Sequence, residues 1–238
     1  MVEPRIGKEE VDFLTERAIR FFNIYSDEME SISQVLKIQL RGLASAYTAE
    51  NKLPGEAVSV NSRIKSVTSF LRKLELLNWP MFSHPTDVIT DLIGARVVCW
   101  FVEDCYGMLD YFQATKQFLI KPLSIEDYIR DPKPTGYRAL HLLADVSYDR
   151  VKTYKKRRTI VEDHMICEIQ IRSKLQDAWS DFTHEMHVNV PIEFQADYDT
   201  AIADIANNLA LEDKSAEAVR KILQRLALKK ELDDFRKA

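Results

Sequence analysis

Strict alternation of apolar and polar residues in the segment CEIQIR, residues 167–172, constrains the fold more than any other feature. Successive side chains of a β-strand point to opposite faces of a sheet, so the pattern predicts a strand with one apolar face. The opposite face carries Glu168, Gln170 and Arg172. Such a face is either exposed to solvent or forms the floor of a cleft that holds a carboxylate and a cation.

The order of helical and strand patterns along the chain predicts the fold class. Residues 8–49 consist mostly of helix formers and predict two helices or one long broken helix, and the turn cluster NKLPGEA follows at residues 51–57. Strand patterns, which then alternate with helical ones, cover residues 96–101, 139–148 and 164–173. We therefore expect an α+β fold, with a central mixed sheet of about five strands flanked by helices.

The domain boundaries follow from the same patterns. We expect an N-terminal helical segment at residues 1–50, a central domain at 51–190 and a C-terminal helical segment at 191–238. A chain of 238 residues is long enough for one large domain or two small ones, and we expect the three parts to form one compact domain.

A basic segment, NSRIKSVTSFLRKLELLNW at residues 61–79, predicts a helix capped by Asn61 or Ser62. Ile64, Val67, Leu71 and Leu74 would form its apolar stripe, and Lys65, Ser69 and Arg72 a separate polar stripe. The cations are either a solvated face or a phosphate-binding surface. They are Arg63, Lys65, Arg72 and Lys73.

Composition excludes several classes of site. The net charge of −4 rules out bulk binding of polyanions, so a nucleotide would need a local basic cluster. Three scattered cysteines without a CxxC pair make a disulfide framework or zinc site a poor hypothesis and fit a reducing compartment. The sequence contains no signal-peptide pattern and no apolar run that could span a bilayer, so we expect a cytoplasmic protein that binds no membrane.

Two carboxylates are candidates for chemistry. Asp91 precedes an apolar strand beside Gly94, and Glu168 lies on the polar face of the alternating strand. Together they could hold Mg²⁺, or Mn²⁺ in its place, against substrate phosphates, and one could accept a proton. Asp91 could instead close an Asx-turn. Because the chain has neither a GxxxxGK[ST] loop nor GxGxxG, phosphates would be bound by lysines and arginines.

The segment EDYIRDPKPTGYRALH, residues 126–141, carries cations, carboxylates and aromatic rings in addition to the turn residues that a simple connection requires. Two prolines would stiffen it, Gly136 would let the backbone turn, and Tyr137 could present its ring to a flat base. The segment also carries other polar candidates: Asp127, Lys133, Arg138 and His141.

Four motifs, in order, resemble the RelA/SpoT-type alarmone synthetases. SRIKSVTSFLRK resembles the basic helix on the ATP side, and DLIGARVVC the first acidic motif. EDYIRDPKPTGYRALH resembles the guanosine-binding loop, and EIQIRSKLQDAWSDFTH the second acidic motif with its helix. Without an HDxxED-like hydrolase motif, the chain is most similar to the small, single-domain synthetases.

The resemblance implies a nucleotidyltransferase-like fold and transfer of pyrophosphate from ATP to the ribose 3′-hydroxyl of GDP or GTP. Asp91 and Glu168 would be the Mg²⁺ ligands, with Glu168 also the possible base. The ATP site would consist of Arg63, Lys65, Arg72, Lys73 and Arg96. The acceptor site would consist of Lys133, Tyr137, Arg138 and His141. Supporting roles fall to Ser69, Asp127, Gln170, Arg172 and His184. By analogy we also expect a homo-oligomer, possibly a tetramer.

Departures from the family pattern leave other functions open. Glu126 replaces a lysine, Ala139 replaces a serine, and Thr183 precedes His184. Val188 and Asn189 stand where the small synthetases often carry Tyr-Lys. The alternatives are a toxic relative that modifies tRNA 3′ ends or makes adenosine alarmones, and a non-catalytic module that binds nucleotide or RNA. The KKRR run at residues 155–158 could contact RNA or form a solvated hairpin tip.

Overall fold

A six-stranded mixed sheet forms the centre of the protein. The computed structural model describes residues 7–121, 124–154, 157–187 and 190–237. The strands are β1 (Val58–Ile64), β2 (Ile93–Cys99), β3 (Leu119–Ile120), β4 (Glu126–Asp127), β5 (Leu140–Tyr154) and β6 (Arg157–Ser173). Their order is β1-β2-β6-β5-β3, with β4 also paired to β5. Among the strands in these described ranges, only β2 and β6 pair in parallel.

In the part of the chain that the structure describes, five α-helices surround the sheet: α1 (Lys8–Glu50), α2 (Val67–Leu76), α3 (Val102–Ala114), α4 (Lys174–His187) and α5 (Gln195–Lys237). None of the helices in the described ranges is long and apolar enough to cross a membrane. The predicted α+β class, with a mixed central sheet and helical ends, is confirmed. The sheet exceeds the expected five strands because β3 and β4 are two-residue strands that pair with β5.

The N-terminal segment is one continuous helix rather than two or a broken one. Apolar side chains recur along it at helical spacing, and Leu14, Ile32, Leu36 and Leu40 are completely buried. A single glycine, Gly42, does not interrupt the helix. The packing of this apolar stripe therefore outweighs the modest helix-breaking tendency of one glycine.

The predicted helix at residues 61–79 is wrong at its N-terminal end. Residues up to Ile64 pair with β2 as strand β1, and Ser66 caps α2 by accepting a hydrogen bond from the Ser69 backbone N–H at 3.1 Å. Arg63 therefore belongs to a strand, and Lys65 lies before the helix. The proposed stripe of Lys65, Ser69 and Arg72 does not exist, because Lys65 lies in the connection between β1 and α2, where its backbone N–H donates to the Leu92 carbonyl at 2.8 Å.

The main core lies between α1, α3 and one face of the sheet. Alternate residues of β6, Cys167, Ile169 and Ile171, are completely buried and join this core. A second, smaller cluster joins α4 to α5 through Trp179, Ile202 and Ala206, and the Tyr137 ring packs against it. The other face of the sheet is thus left free for polar side chains, with the 126–141 segment and the two C-terminal helices at its border.

A buried carboxylate links three helices. Asp104 of α3 is 1% exposed and accepts hydrogen bonds from the Tyr47 hydroxyl of α1 and from Arg220 of α5, each at 2.8 Å. Burial and this carboxylate together raise the pKa of Tyr47. The adjacent pair of Glu103 and Lys221 joins the same two helices at the surface, with both side chains half exposed.

Arg220→Ala should destabilise the protein far more than Lys221→Ala. The first change leaves Asp104 buried with only the Tyr47 hydroxyl as partner, which should cost about 3 kcal/mol of unfolding free energy. The second removes an exposed ion pair, which solvent screens and which contributes little to stability. Urea unfolding of both variants measures the difference, and equal losses would contradict the assigned role of the buried pair.

Candidate active site

The polar face of the sheet forms the floor of a cleft. In the strand register Arg63 lies opposite Gly94, and Gly94 lies opposite Glu168. The next row along the same face consists of Asn61, Arg96, Gln170 and His141. The predicted polar face of β6 therefore carries the carboxylate Glu168, but the cations that line the cleft with it are Arg96 on the neighbouring β2 and Arg63 on β1, and not the predicted Arg172.

The cleft has a volume of about 360 Å³. A Cβ at Gly94 would meet no atom within 4 Å, so packing does not require glycine there, and its missing side chain leaves the floor open between Arg63 and Glu168. The cleft is lined by Asn61, Ser62, Arg63, Asp91, Gly94, Ala95, Arg96, Glu168, Gln170, Asp177 and Asp181.

Asp91 enters the cleft just before β2 and is held by two lysines. Lys65 Nζ lies 2.8 Å from one of its carboxylate oxygens, and Lys73 Nζ lies 2.8 Å from the other. Although burial alone would raise the pKa of Asp91, the hydrogen bonds from the two lysines hold it below its usual value. Asp91 is thus an anion near neutral pH, and the predicted lysines lie beside it despite the wrong helix assignment.

Glu168 is a second anion, held by contacts with His141 and Gln170. His141 Nδ1 lies 3.3 Å from one oxygen, and Gln170 Nε2 donates to the other at 2.7 Å. Burial would raise the pKa of Glu168, but the contacts with His141 and Gln170 lower it overall. The Gln170 amide is oriented from its other side, because its oxygen accepts a hydrogen bond from Arg172. Gln170 therefore directs its nitrogen at the carboxylate.

Arg96 is paired with two carboxylates that the sequence analysis missed. Its Nη1 lies 3.0 Å from Asp177 and 2.6 Å from Asp181, both on α4. Burial works against the charge of Arg96, but the carboxylates raise its pKa above the usual value. Burial also raises the pKa of Asp177. The signal available in the sequence was the spacing of four residues between the two aspartates, on a helix that directly follows β6.

The aromatic part of the 126–141 segment lies beside Glu168. The Tyr137 hydroxyl is 2.6 Å from His141 Nε2, and Arg172 Nη2 donates to the same hydroxyl at 3.0 Å. Lys133 Nζ lies 4.3 Å from the Tyr128 ring centroid and 5.3 Å from that of Tyr137. These contacts bring four predicted residues together, and their roles toward an acceptor remain predictions.

Several other predicted residues have local structural partners. Asp127 accepts hydrogen bonds from the backbone of Ile129 and Arg130, so it shapes the turn after β4. Ser69 shares the α2 cap with Ser66, and Arg72 is exposed on that helix. Arg138, predicted to lie near phosphates, instead directs its donors to α5, where Nη2 donates to Asn207 at 2.9 Å.

Several other residues named from the sequence lie outside the part of the chain that the structure describes. The His184 side chain falls outside the described residues, although its backbone belongs to α4. Lys155, Lys156, Val188 and Asn189 also lie outside the described residues. Arg172 does belong to the described residues and is only 1% exposed. Among those residues, its Nε and Nη1 have no hydrogen-bond partner.

Comparison with known families defines the class of protein. A family model described as a region found in RelA / SpoT proteins matches residues 62–191, a range that contains every residue lining the cleft except Asn61. The chain therefore belongs to the RelA/SpoT family, as the four motifs predicted.

The particular relatives are small synthetases. The chain is 30% identical to GTP pyrophosphokinase YjbM of Bacillus subtilis over 169 residues, covering 71% of this chain and 72% of the relative. It is 28% identical to YwaC of the same organism over 179 residues, covering 72% and 73%. The crystal structure of small alarmone synthetase 1 from Bacillus subtilis bound to its product pppGpp superposes with a TM-score of 0.69. The two are 25% identical, and the match covers 88% of this chain and 99% of that one.

Proposed function

We propose that the protein transfers pyrophosphate from ATP to the ribose 3′-hydroxyl of GDP or GTP, forming ppGpp or pppGpp and releasing AMP. The observation that carries this proposal is a cleft in which two anionic carboxylates, Asp91 and Glu168, lie among cations from three elements. The curated relatives that support the acceptor class are named GTP pyrophosphokinases.

The donor would occupy the side of the cleft formed by β1, β2 and α2. Arg63 and Arg96 lie two residues apart in the paired strands and both line the cleft, so their planar guanidinium groups can contact a flat adenine. Lys65 and Lys73 are adjacent to Asp91 and would bind the donor phosphates. Transfer to an attacking hydroxyl depends on such positioning and charge neutralisation more than on covalent chemistry.

The acceptor would approach from the 126–141 segment. Tyr137 and Lys133 would contact the guanine nucleotide, and Glu168 would receive the proton of the attacking 3′-hydroxyl. His141 touches Glu168 and Tyr137 at once, so it connects the base-binding ring with the carboxylate. In this arrangement His141 orients the carboxylate in addition to its proposed acceptor contact.

Mg²⁺, or Mn²⁺ in its place, fits the donor chemistry of this cleft. Asp91 and Glu168 are both anions, and Mg²⁺ usually takes one or two carboxylates together with substrate phosphates and waters. Across the described ranges no group of three or more His, Cys, Asp or Glu side chains is arranged for a metal, so other ligands would come from substrate and water. The bound ion would supply charge neutralisation at the phosphates.

One experiment tests the proposed function against its alternatives. The protein and Mg²⁺ are incubated with ATP labelled at the β-phosphate and, in separate reactions, GDP, GTP, ATP or deacylated tRNA. Label on a guanine nucleotide is expected. Label on tRNA or an adenine nucleotide would assign the chain to the toxic relatives, and intact nucleotide binding without transfer would indicate a binding module.

Asp181→Asn should lower the KM for ATP by about two- to threefold, because Arg96 loses an exposed partner that competes with substrate. Asp181 is 63% exposed, which keeps the expected effect small. Asp110→Asn, an exposed change on α3, is the control. Initial rates at varied ATP measure the effect, and an increased KM would show that Asp181 supports the donor site instead.

The proposed setting is the cytoplasm, and the proposed assembly is a homo-oligomer. Apolar side chains remain exposed on the two long terminal helices, including Phe13, Ile24 and Ile38 of α1 and Ile222 and Leu226 of α5. Such exposure favours contact with another copy. Light scattering of the purified protein would measure the assembly.

A further inference from the structure

The long C-terminal helix α5 lies directly against the 126–141 segment. Gly136 has a φ of +84°, and a Cβ built on it would come within 2.5 Å of the Ala206 Cβ and 3.2 Å of the Ala203 Cα. The two backbones approach this closely only because a glycine faces alanines. The segment and the helix are therefore docked at one point, immediately before Tyr137.

Arg138 fastens the same point with hydrogen bonds. Its Nη1 donates to the Gly136 carbonyl at 2.9 Å and to the Ala206 carbonyl at 3.4 Å, and its Nη2 donates to Asn207 Oδ1 at 2.9 Å. Asn207 supplies the side-chain acceptor in this contact from α5. The Arg138 guanidinium thus forms hydrogen bonds with α5 and does not point into the cleft.

A continuous set of contacts connects the Arg138–α5 hydrogen bonds with the Glu168 carboxylate. Tyr137, which lies between Gly136 and Arg138, packs against the cluster of Trp179, Ile202 and Ala206, with its ring centroid 6.3 Å from that of Trp179. Its hydroxyl contacts His141, which in turn contacts Glu168. The position of α5 should therefore influence the position of the Tyr137 ring, which is proposed to contact the acceptor base.

We propose that Asn207 is a positioning residue for the acceptor: by accepting the Arg138 hydrogen bond, it docks α5 on the 126–141 segment and fixes the Tyr137 ring. This inference rests on the proposed function. Neither Arg138 nor Asn207 is among the described residues that line the cleft, so this contact lies apart from the proposed donor side, formed by β1, β2 and α2. Loss of Asn207 should therefore weaken use of the acceptor and leave use of ATP unchanged.

The chain offers a matched control in the neighbouring residue. Asn207→Ala and Asn208→Ala both replace an exposed asparagine of α5 by the best helix former, so both keep the helix. Only the first removes the side-chain oxygen of α5 that accepts a hydrogen bond from Arg138. For Asn207→Ala we expect the KM for the guanine nucleotide to rise about fivefold, the loss of one partly exposed hydrogen bond to a charged group. Asn207→Asp, which keeps an acceptor oxygen, should restore the wild-type KM.

The measurements are the KM for each substrate, the thermal midpoint, and calorimetric binding of GDP, which does not depend on turnover. Equal acceptor KM values for Asn207→Ala and Asn208→Ala would overturn the proposal. So would a parallel rise of both KM values with a lowered midpoint, or an Asn207→Asp variant as weak as Asn207→Ala. If the wild-type protein transfers no label, the proposed function fails, and GDP binding by the three variants still decides the role of Asn207.

Discussion

Asp91→Asn is expected to reduce pyrophosphate transfer by about a thousandfold or more, because it removes one of the two anions on which the cleft is built. The substitution preserves the size of the side chain and one oxygen. It removes the charge that now balances Lys65 and Lys73, each 2.8 Å away, and with it the capacity to hold Mg²⁺ beside the substrate phosphates.

The variant should nevertheless fold. Lys73 is 39% exposed and can turn to solvent once its partner is neutral, so the thermal midpoint should stay within about 5 °C of wild type. Asp110→Asn again serves as the control, since it removes the same charge from an exposed site. Transfer by Asp91→Asn within tenfold of wild type would show that Asp91 is not part of the reaction site.

Glu168→Gln is the second change with a large expected effect, a loss of about a thousandfold in kcat. The amide cannot accept the proton of the attacking hydroxyl, and it presents an NH₂ group to one of the two donors that now bind the carboxylate, His141 and Gln170. Because Arg172 orients Gln170 from the other side, Gln170 cannot simply turn to relieve that conflict. Binding of ATP to the far side of the cleft should persist.

The pH dependence of the wild-type enzyme tests the same assignment. The pKa of Glu168 is lowered from its ordinary 4.5, so the carboxylate is ionised at all higher pH values and loses its charge only as the pH falls through the lowered pKa. The acidic limb of kcat that belongs to Glu168 should therefore lie below pH 4.5. A limb centred near pH 6 would identify another group as the base. Measurement of kcat from pH 4 to 8, corrected for unfolding, locates this limb.

Much of the site could be predicted because strand alternation is a local property. The pattern around Glu168 placed Gln170 on its face, and the motif order brought Asp91 to the start of a strand beside it. The family motifs also led to the two lysines near Asp91. What local patterns could not give was the partner of each charge, since Arg96 and the α4 aspartates are joined only by tertiary packing.

The errors have physical causes that act over longer range. Residues 61–64 carry helix-compatible side chains, but pairing with β2 makes them a strand, and the cap falls at Ser66 instead of Asn61 or Ser62. The sequence gives no sign that Arg138 is paired. In the structure, two of its hydrogen-bond acceptors come from α5, which lies far along the chain. Similarly, the burial of Arg172 follows from packing beneath Tyr137 that no spacing in the sequence reveals.

The parallel pairing between β2 and β6 sets the earliest stage of synthesis at which Asp91 and Glu168 can both lie in the cleft. These strands are separated in the chain by α3, β3, β4 and β5, so the pairing closes a long loop and is expected to form late in folding. During synthesis, Asp91 emerges from the ribosome well before Glu168. A nascent chain that ends before β6 has Asp91 but not Glu168, and Asp177 and Asp181 follow only in α4, so the complete cleft cannot form until α4 has been synthesised.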